Sequence, residues 1–284
     1  MRVALFYNDA PGTVGLYFLK AFRALGHTVD HFPTHGAEGW KGDRYDLYLR
    51  IDHGDYAHDL PRRLHPKAFY VVDTHLQKSW KSIRRQAVRY DVIYCVQRQV
   101  VRHLPRAFWV PLACDPDFHT IAPLPMRYDV AFVGNDGGVP RKFYLEELRV
   151  RYPNSFIGKA AYTDMAAIYG QARIGFHYIA CTSPFGDMIS MRVFEVLAAG
   201  RLLIANALGK GDFEAAGLRD RQEVVLYHSP AELFELTDYY LHHEEERERI
   251  ASAGHACVIQ RHTYRHRAER MVSLLQKELG LNSD

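Results

Sequence analysis

From Ser183 to Asn206 the chain reads SPFGDMISMRVFEVLAAGRLLIAN, and no other stretch restricts the fold as much. A loop punctuated by Pro184 and Gly186 runs to Ser190, an apolar segment of helical length follows from about Met191 to Ala199, Gly200 stops it, and Leu202 to Ala205 forms a buried-strand run. Ser190 is placed to cap the helix and Gly200 to end it. Loop, helix and strand in this order make half of an α/β unit. Glu195 is the only acid in the helix, set among Val193, Phe194, Val196, Leu197 and Ala198. Burying it alone would be expensive, so it must face solvent or meet a partner. Asp187 lies in the loop that feeds the helix N-terminus, so both carboxylates can border one crevice in which helix N–H groups suit an anion such as a diphosphate.

The same grammar recurs on both sides of this stretch. Residues 2–7 are an apolar run ending in the turn NDAPG, a helical pattern spans Leu16 to Leu25, and His27 to Phe32 is the next strand. This βαβ opening implies a parallel sheet. Gly12 and Gly15 allow close backbone approach, but the spacing is not G-x-G-x-x-G, so a plain tight turn reads as well as ligand contact. Further strands are expected at Leu47–Ile51, Phe69–Val72, Val92–Val96 and Phe108–Leu112, with a basic amphipathic helix over Gln77 to Arg89. The turn Asp73-Thr74-His75 follows one of these strands. It reads equally as a helix-capping turn and as a place for a reactive histidine, since ligands bind beyond the carboxyl ends of parallel strands.

Ala113 to Pro125 is rich in Pro and Asp and shows no helix or strand periodicity, so the domain boundary is placed there, giving 1–115 and 116–284. The grammar then restarts with strand Tyr128–Val133, the turn Gly134-Asn135-Asp136-Gly137-Gly138 and a helix from about Pro140 to Tyr152. A glycine-rich turn leading into Arg141 and Lys142 is a candidate diphosphate cradle, because backbone N–H groups and two cations meet at one anionic site. Strands Ser155–Ile157, Ile174–Tyr178 and Val224–Tyr227 and helices Thr163–Gln171 and Pro230–Leu241 complete a second sheet, and Glu244 to Leu279 reads as helical almost throughout. The expected fold class is α/β with two Rossmann-like domains.

Composition narrows the function classes. With 284 residues, 48% apolar and 24% charged, the chain has a globular rather than a disordered composition. No apolar run reaches membrane-spanning length and Asp9 interrupts any secretory pattern, so a cytoplasmic location is expected. Cys95, Cys114, Cys181 and Cys257 form no C-x-x-C pair, which argues for free thiols over a zinc site. His53 and His58 stand among Asp52, Asp55 and Asp59, and such a mixed loop reads as a solvated connection before it reads as a metal site. Met1 to Asp115 carries 17 Lys/Arg against 11 Asp/Glu, and Tyr56 to Val110 alone carries eleven against three. That density points to an anionic partner, such as a polysaccharide, a nucleic acid or a membrane face, or else to a solvated basic helix.

Phe185-Gly186-Asp187, Arg192-Val193-Phe194-Glu195, Ala198-Ala199-Gly200 and the segment HTYRHRAERM from His262 to Met271 together resemble the E-x7-E element of retaining GT-B glycosyltransferases, and more specifically spore-maturation-protein CgeB-like glycosyltransferases. The resemblance implies two Rossmann-like domains with the final helix crossing back to the first. It also implies transfer of a sugar from a nucleotide diphosphate sugar, with a UDP-sugar as the expected donor, no further cofactor and no metal. Glu195 would hold the ribose hydroxyls, and Asp187, shorter by one methylene than the family's Glu, would contact the donor sugar. Asp187, His75 and Arg141 are the catalytic candidates. The donor-binding candidates are Glu195, Gly134, Lys142, Gly186, Met188 and Arg192. Two alternatives stand beside this reading: Asp115-Pro116-Asp117 matches the D-x-D of metal-dependent GT-A enzymes, and the same folds serve sugar-nucleotide or nucleic-acid binding proteins without turnover.

Overall fold

The computed structural model describes residues 1–52, 54, 56–179, 185 and 188–280, and the chain divides into two compact units. Unit 1 comprises Met1–Pro111, Cys181–Met188 and Tyr264–Asp284, and unit 2 comprises Leu112–Ala180 and Ile189–Thr263.

Unit 1 is built on a six-stranded parallel sheet. Its elements are β1 (Arg2–Phe6), α1 (Val14–Ala24), β2 (Thr28–Phe32), β3 (Leu47–Ile51), β4 (Lys67–Val71), α2 (Gln77–Ala87), β5 (Val92–Cys95) and β6 (Ala107–Trp109), in spatial order β2-β1-β3-β4-β5-β6. Every residue of β3, β4 and β5 is buried, as expected for strands covered on both faces. β4 starts two residues earlier than its apolar run suggests, because Lys67 is itself buried, its ammonium donating to the Pro61 carbonyl at 3.1 Å. Such burials thin the basic excess counted in the sequence. Arg50 is buried against Asp59, Gln86 and Tyr90, Arg89 pairs with the same Asp59 at 3.0 Å, and Arg106 donates to the backbone of Tyr90 and Asp91. Asp52 likewise has a structural load, accepting from the Tyr56 hydroxyl and from the Val72 and Asp73 amides.

Unit 2 holds α3 (Pro116–His119), β7 (Tyr128–Val133), α4 (Arg141–Arg151), β8 (Phe156–Gly158), α5 (Met165–Gly170), β9 (Ala172–His177), α6 (Met191–Ala198), β10 (Leu202–Asn206), α7 (Asp212–Ala215), β11 (Val225–Tyr227), α8 (Pro230–His242) and α9 (Glu244–Arg261), with parallel strands in the order β11-β10-β9-β7-β8. Its core joins Val130 and Phe132 of β7, Ile174 and Phe176 of β9, Leu202 and Ile204 of β10, and Leu233 and Tyr240 of α8. The last helix, α10 (Tyr264–Glu278), returns to unit 1. Tyr264 stacks on Tyr17 at 4.8 Å, the Tyr94 hydroxyl donates to the Met271 carbonyl at 2.6 Å, and the Arg267 guanidinium donates to the Pro111 carbonyl at 2.8 Å.

Several expectations need correction. The segment 113–125 is not free of helix: Asp115 caps α3, its carboxylate accepting from the Asp117 amide at 3.0 Å with Pro116 in the first turn. The helix expected over Thr163–Gln171 is a 3-10 turn at Tyr162–Asp164 followed by the shorter α5, and the long C-terminal helix is broken at His262 and Thr263 into α9 and α10. Ser190 occupies the N-cap position of α6 but makes no capping bond, because its hydroxyl is taken by His177. Gly200 does end α6, with φ +73°, in the left-handed region where a side chain would be strained.

Candidate functional site

Each sheet reverses its direction of strand addition once, between β1 and β3 in unit 1 and between β7 and β9 in unit 2. In open parallel sheets the crevice beyond the carboxyl ends of the strands at such a reversal is where ligands bind. In unit 2 that point lies between Gly134, which follows β7, and His177, which ends β9.

Gly134 anchors the turn by donating its N–H to the Gly158 carbonyl at 2.9 Å. Gly137 and Gly138 then adopt φ of +65° and +75°, and a Cβ on Gly137 would lie 2.7 Å from the Arg141 guanidinium. The positive φ values call for glycine at both positions, and at Gly137 the backbone also passes close to this cation. The Arg141 Nε is buried without a hydrogen-bond partner, and burial holds its pKa below the ordinary arginine value. Lys142 stands apart: it is exposed and pairs with Glu146 across one helical turn at 3.8 Å.

His177 is buried at 7% exposure. Its Nε2 lies 2.7 Å from the Ser190 hydroxyl, while its Nδ1 is buried with no hydrogen-bond partner. Burial first, then the charges of Arg192 and Arg141, hold its pKa well below the ordinary histidine value, so the ring is neutral. Arg192 reaches forward along α6 to Glu195, Nη1 to Oε2 at 2.6 Å, with its guanidinium 5.9 Å from the Tyr169 ring. Glu195 is 2% exposed. The lone acid of the apolar helix therefore does meet a partner. Burial raises its pKa and Arg192 pulls it partly back. Its Oε1 accepts no hydrogen bond, although His119 Nε2 is 3.5 Å away. The Asp115 amide donates to His119 Nδ1 at 2.9 Å, so the proton of a neutral His119 sits on Nε2, facing Glu195 and the Tyr162 hydroxyl at 3.1 Å.

The structure thus brings Arg141, Arg192, Glu195 and Gly134 into unit 2 around one sheet edge and leaves Lys142 on the solvent face. Met188 is half-buried in unit 1, and Asp187 and Gly186 lie outside the described residues, as do His53 and Asp55. His75 belongs to unit 1, past the carboxyl end of β4. Burial lowers its pKa and its Nδ1 has no partner. Beside it, burial and the charge of Asp52 push the Asp73 carboxyl up to about 6. Among the described residues, no three His, Cys, Asp or Glu side chains are grouped to hold a metal ion, and no helix is long and apolar enough to cross a membrane. Sequence reading missed His177 and His119. The first had a visible signal, a polar residue closing an apolar strand at its carboxyl end, whereas the second sits in a segment without periodicity.

The profile of the family described as glycosyl transferase-like matches residues 118–273. The chain belongs to this glycosyl transferase-like family. No curated protein matches it by sequence. Among solved structures, the sucrose-phosphate synthase of Thermosynechococcus elongatus is similar with a TM-score of 0.65 at 13% identity, covering 99% of this chain and 100% of that one. An α-glucosyltransferase in complex with UDP and a 13-mer DNA containing an HMU base gives 0.64 at 10% identity, with 97% and 99% covered. Anabaena HepE in complex with UDP and glucose gives 0.63 at 11%, with 98% and 100% covered. The chain is a glycosyltransferase of the GT-B fold, and α10 is the C-terminal helix that this fold returns to its first domain.

Proposed function

We propose that this glycosyltransferase moves a hexose from a UDP-sugar to an anionic acceptor, with retention of configuration and without a metal ion. The observation that carries the donor reading is Glu195, a buried carboxylate with one oxygen bound to Arg192 and the other, Oε1, accepting no hydrogen bond. With the His119 Nε2–H facing it from no nearer than 3.5 Å, such an oxygen is suited to a ribose hydroxyl, which would give it the hydrogen bond it lacks. Arg141 and Arg192 supply fixed positive charge for the departing diphosphate, the role a metal plays in other transferases. The D-x-D alternative loses its footing because the Asp115 carboxylate is spent on capping α3. Asp187 and His75 keep the roles that resemblance gives them, contact with the donor sugar.

For the acceptor, Lys78, Lys81, Arg84 and Arg85 of α2 are exposed and none of them has an acidic partner within α2. Arg84 lies 5.8 Å from the ring of Trp80. Cations interleaved with an aromatic ring suit a polyanionic chain, and one similar structure holds DNA. Incubation with UDP-glucose in EDTA, with free UDP and product anomer read by NMR, tests this proposal. UDP release with an α-linked product supports it. Activity that vanishes in EDTA and returns with Mn²⁺ refutes metal independence, and a β-linked product refutes retention.

A further inference from the structure

The three groups around the end of β9 have an unusual balance. Arg192 already has its counter-charge in Glu195, Arg141 makes, among the described residues, a single long 3.4 Å bond to the Asn135 carbonyl, and the charges of both act on the buried imidazole of His177, whose Nδ1 is unpartnered. The ring is fixed rather than free to turn away. Its Nε2 is tied to the Ser190 hydroxyl at 2.7 Å, and the following residue, Tyr178, stacks on Tyr144 of α4 at 5.2 Å. Among the described residues, the acids on the elements packed around the ring are paired or remote: Glu195 on α6 is held by Arg192 at 2.6 Å, β10 carries no ionisable residue, α5 offers Tyr169, whose hydroxyl accepts from the Val133 amide at 3.0 Å, and Asp129 on β7 is paired with Arg173 at 2.6 Å. On α8, Asp238 accepts from the Tyr152 hydroxyl, Glu232 accepts from the His228 amide, and Glu235 is exposed.

We infer that His177 is a proton-accepting partner of the donor's diphosphate: it stays neutral in the empty site and takes up a proton at Nδ1 when a nucleotide diphosphate sugar binds, then donating that N–H to a phosphate oxygen. This rests on the donor reading given above and specifies its proton chemistry. The physical reason is charge. In the empty site a proton on the ring would join two guanidinium groups in a buried place, while a bound diphosphate reverses the sign of the local field and offers an acceptor. The proton comes from solvent, and the ring then carries two donors, Nε2–H to Ser190 and Nδ1–H to the ligand. A donor that is already placed when the glycosidic bond breaks stabilises the charge developing on the leaving UDP.

The probe is UDP-glucose, whose diphosphate has no proton to exchange near neutrality. Calorimetric titration at pH 7 in HEPES and in Tris measures proton uptake on the wild-type protein directly, from the dependence of the heat on the buffer. Uptake approaching one proton per bound donor is expected, with affinity rising as pH falls from 8 to 6 by up to about tenfold per unit, the limit for one linked proton. In His177→Gln, which keeps a side-chain partner for Ser190 but cannot be protonated, uptake should vanish and affinity become flat with pH. Heats that do not depend on buffer in the wild type would overturn the inference, as would unchanged uptake in the variant or a loss of affinity equal at every pH. Failure of both UDP-glucose and UDP to bind at any pH would overturn the donor-site reading itself, a result distinct from binding without proton uptake.

Discussion

At the scale of single residues, the site of unit 2 stores unfavourable electrostatics that have a measurable signature in stability. His177 has a folded-state pKa well below the ordinary 6.5, so below that pH the unfolded chain binds a proton that the folded chain refuses. Its contribution to stability is present above about pH 6.5 and is lost as the pH falls, at about 1.4 kcal/mol per unit for one proton. Glu195 acts in the opposite sense. Its raised pKa means that its charging above about pH 4.5 costs the folded state, and acidification relieves that cost. Denaturant unfolding of the ligand-free protein between pH 8 and 5.5 should therefore show a smaller acid-side loss in His177→Gln than in wild type, and superimposable slopes would contradict a neutral buried imidazole. Glu195 itself was legible from the sequence as an acid that had to face solvent or meet a partner, whereas Arg192, three residues away, reads there as a donor-binding cation and only the structure shows it as that partner. His177 and its hold on Ser190 were not legible, because a serine before an apolar helix is chemically indistinguishable from a cap until the competing imidazole is in place.

At the scale of elements, what positions α6 is close packing against β9 rather than capping. Gly175 lies in the middle of that strand, and a Cβ there would come 2.4 Å from a methyl of Val196. Gly175→Ala is expected to push α6 off the sheet, costing about 1–3 kcal/mol by overpacking and weakening UDP binding, since Arg192 and Glu195 ride on that helix. Normal binding affinity with normal stability in this variant would show that α6 is not held as described. The strand-turn-helix alternation made almost every element recognisable in the sequence, since the strands are continuous apolar runs and the glycines mark the turns. The misses share one cause. α3 has four residues, too few to show a period, and its helical state comes from the Asp115 cap and from the bond between His119 and the Asp115 amide. The break between α9 and α10 is likewise tertiary in origin: the Cys114 amide donates to the His262 carbonyl at 2.9 Å, a contact across 148 residues that no local pattern announces.

At the scale of the whole molecule, charge is divided between the units by use. Several basic residues of unit 1 are consumed by structure, among them Arg50, Lys67, Arg89 and Arg106, which leaves α2 as the exposed cationic face that a sequence count alone overstates. Reversal of Arg84 and Arg85 to Glu should raise the acceptor Michaelis constant and flatten its dependence on salt, because a polyanion bound by fewer cations releases fewer counterions. A salt-independent constant in the wild type would instead point to a small neutral acceptor. The account as a whole rests on unit 2 holding the nucleotide through Glu195. Calorimetric titration of UDP into wild type and Glu195→Ala tests this most directly: loss of a charged acceptor should weaken binding by roughly 1.5–3 kcal/mol, about ten- to a hundredfold, in a variant whose unfolding remains cooperative, whereas unchanged UDP affinity would contradict the assignment of the site.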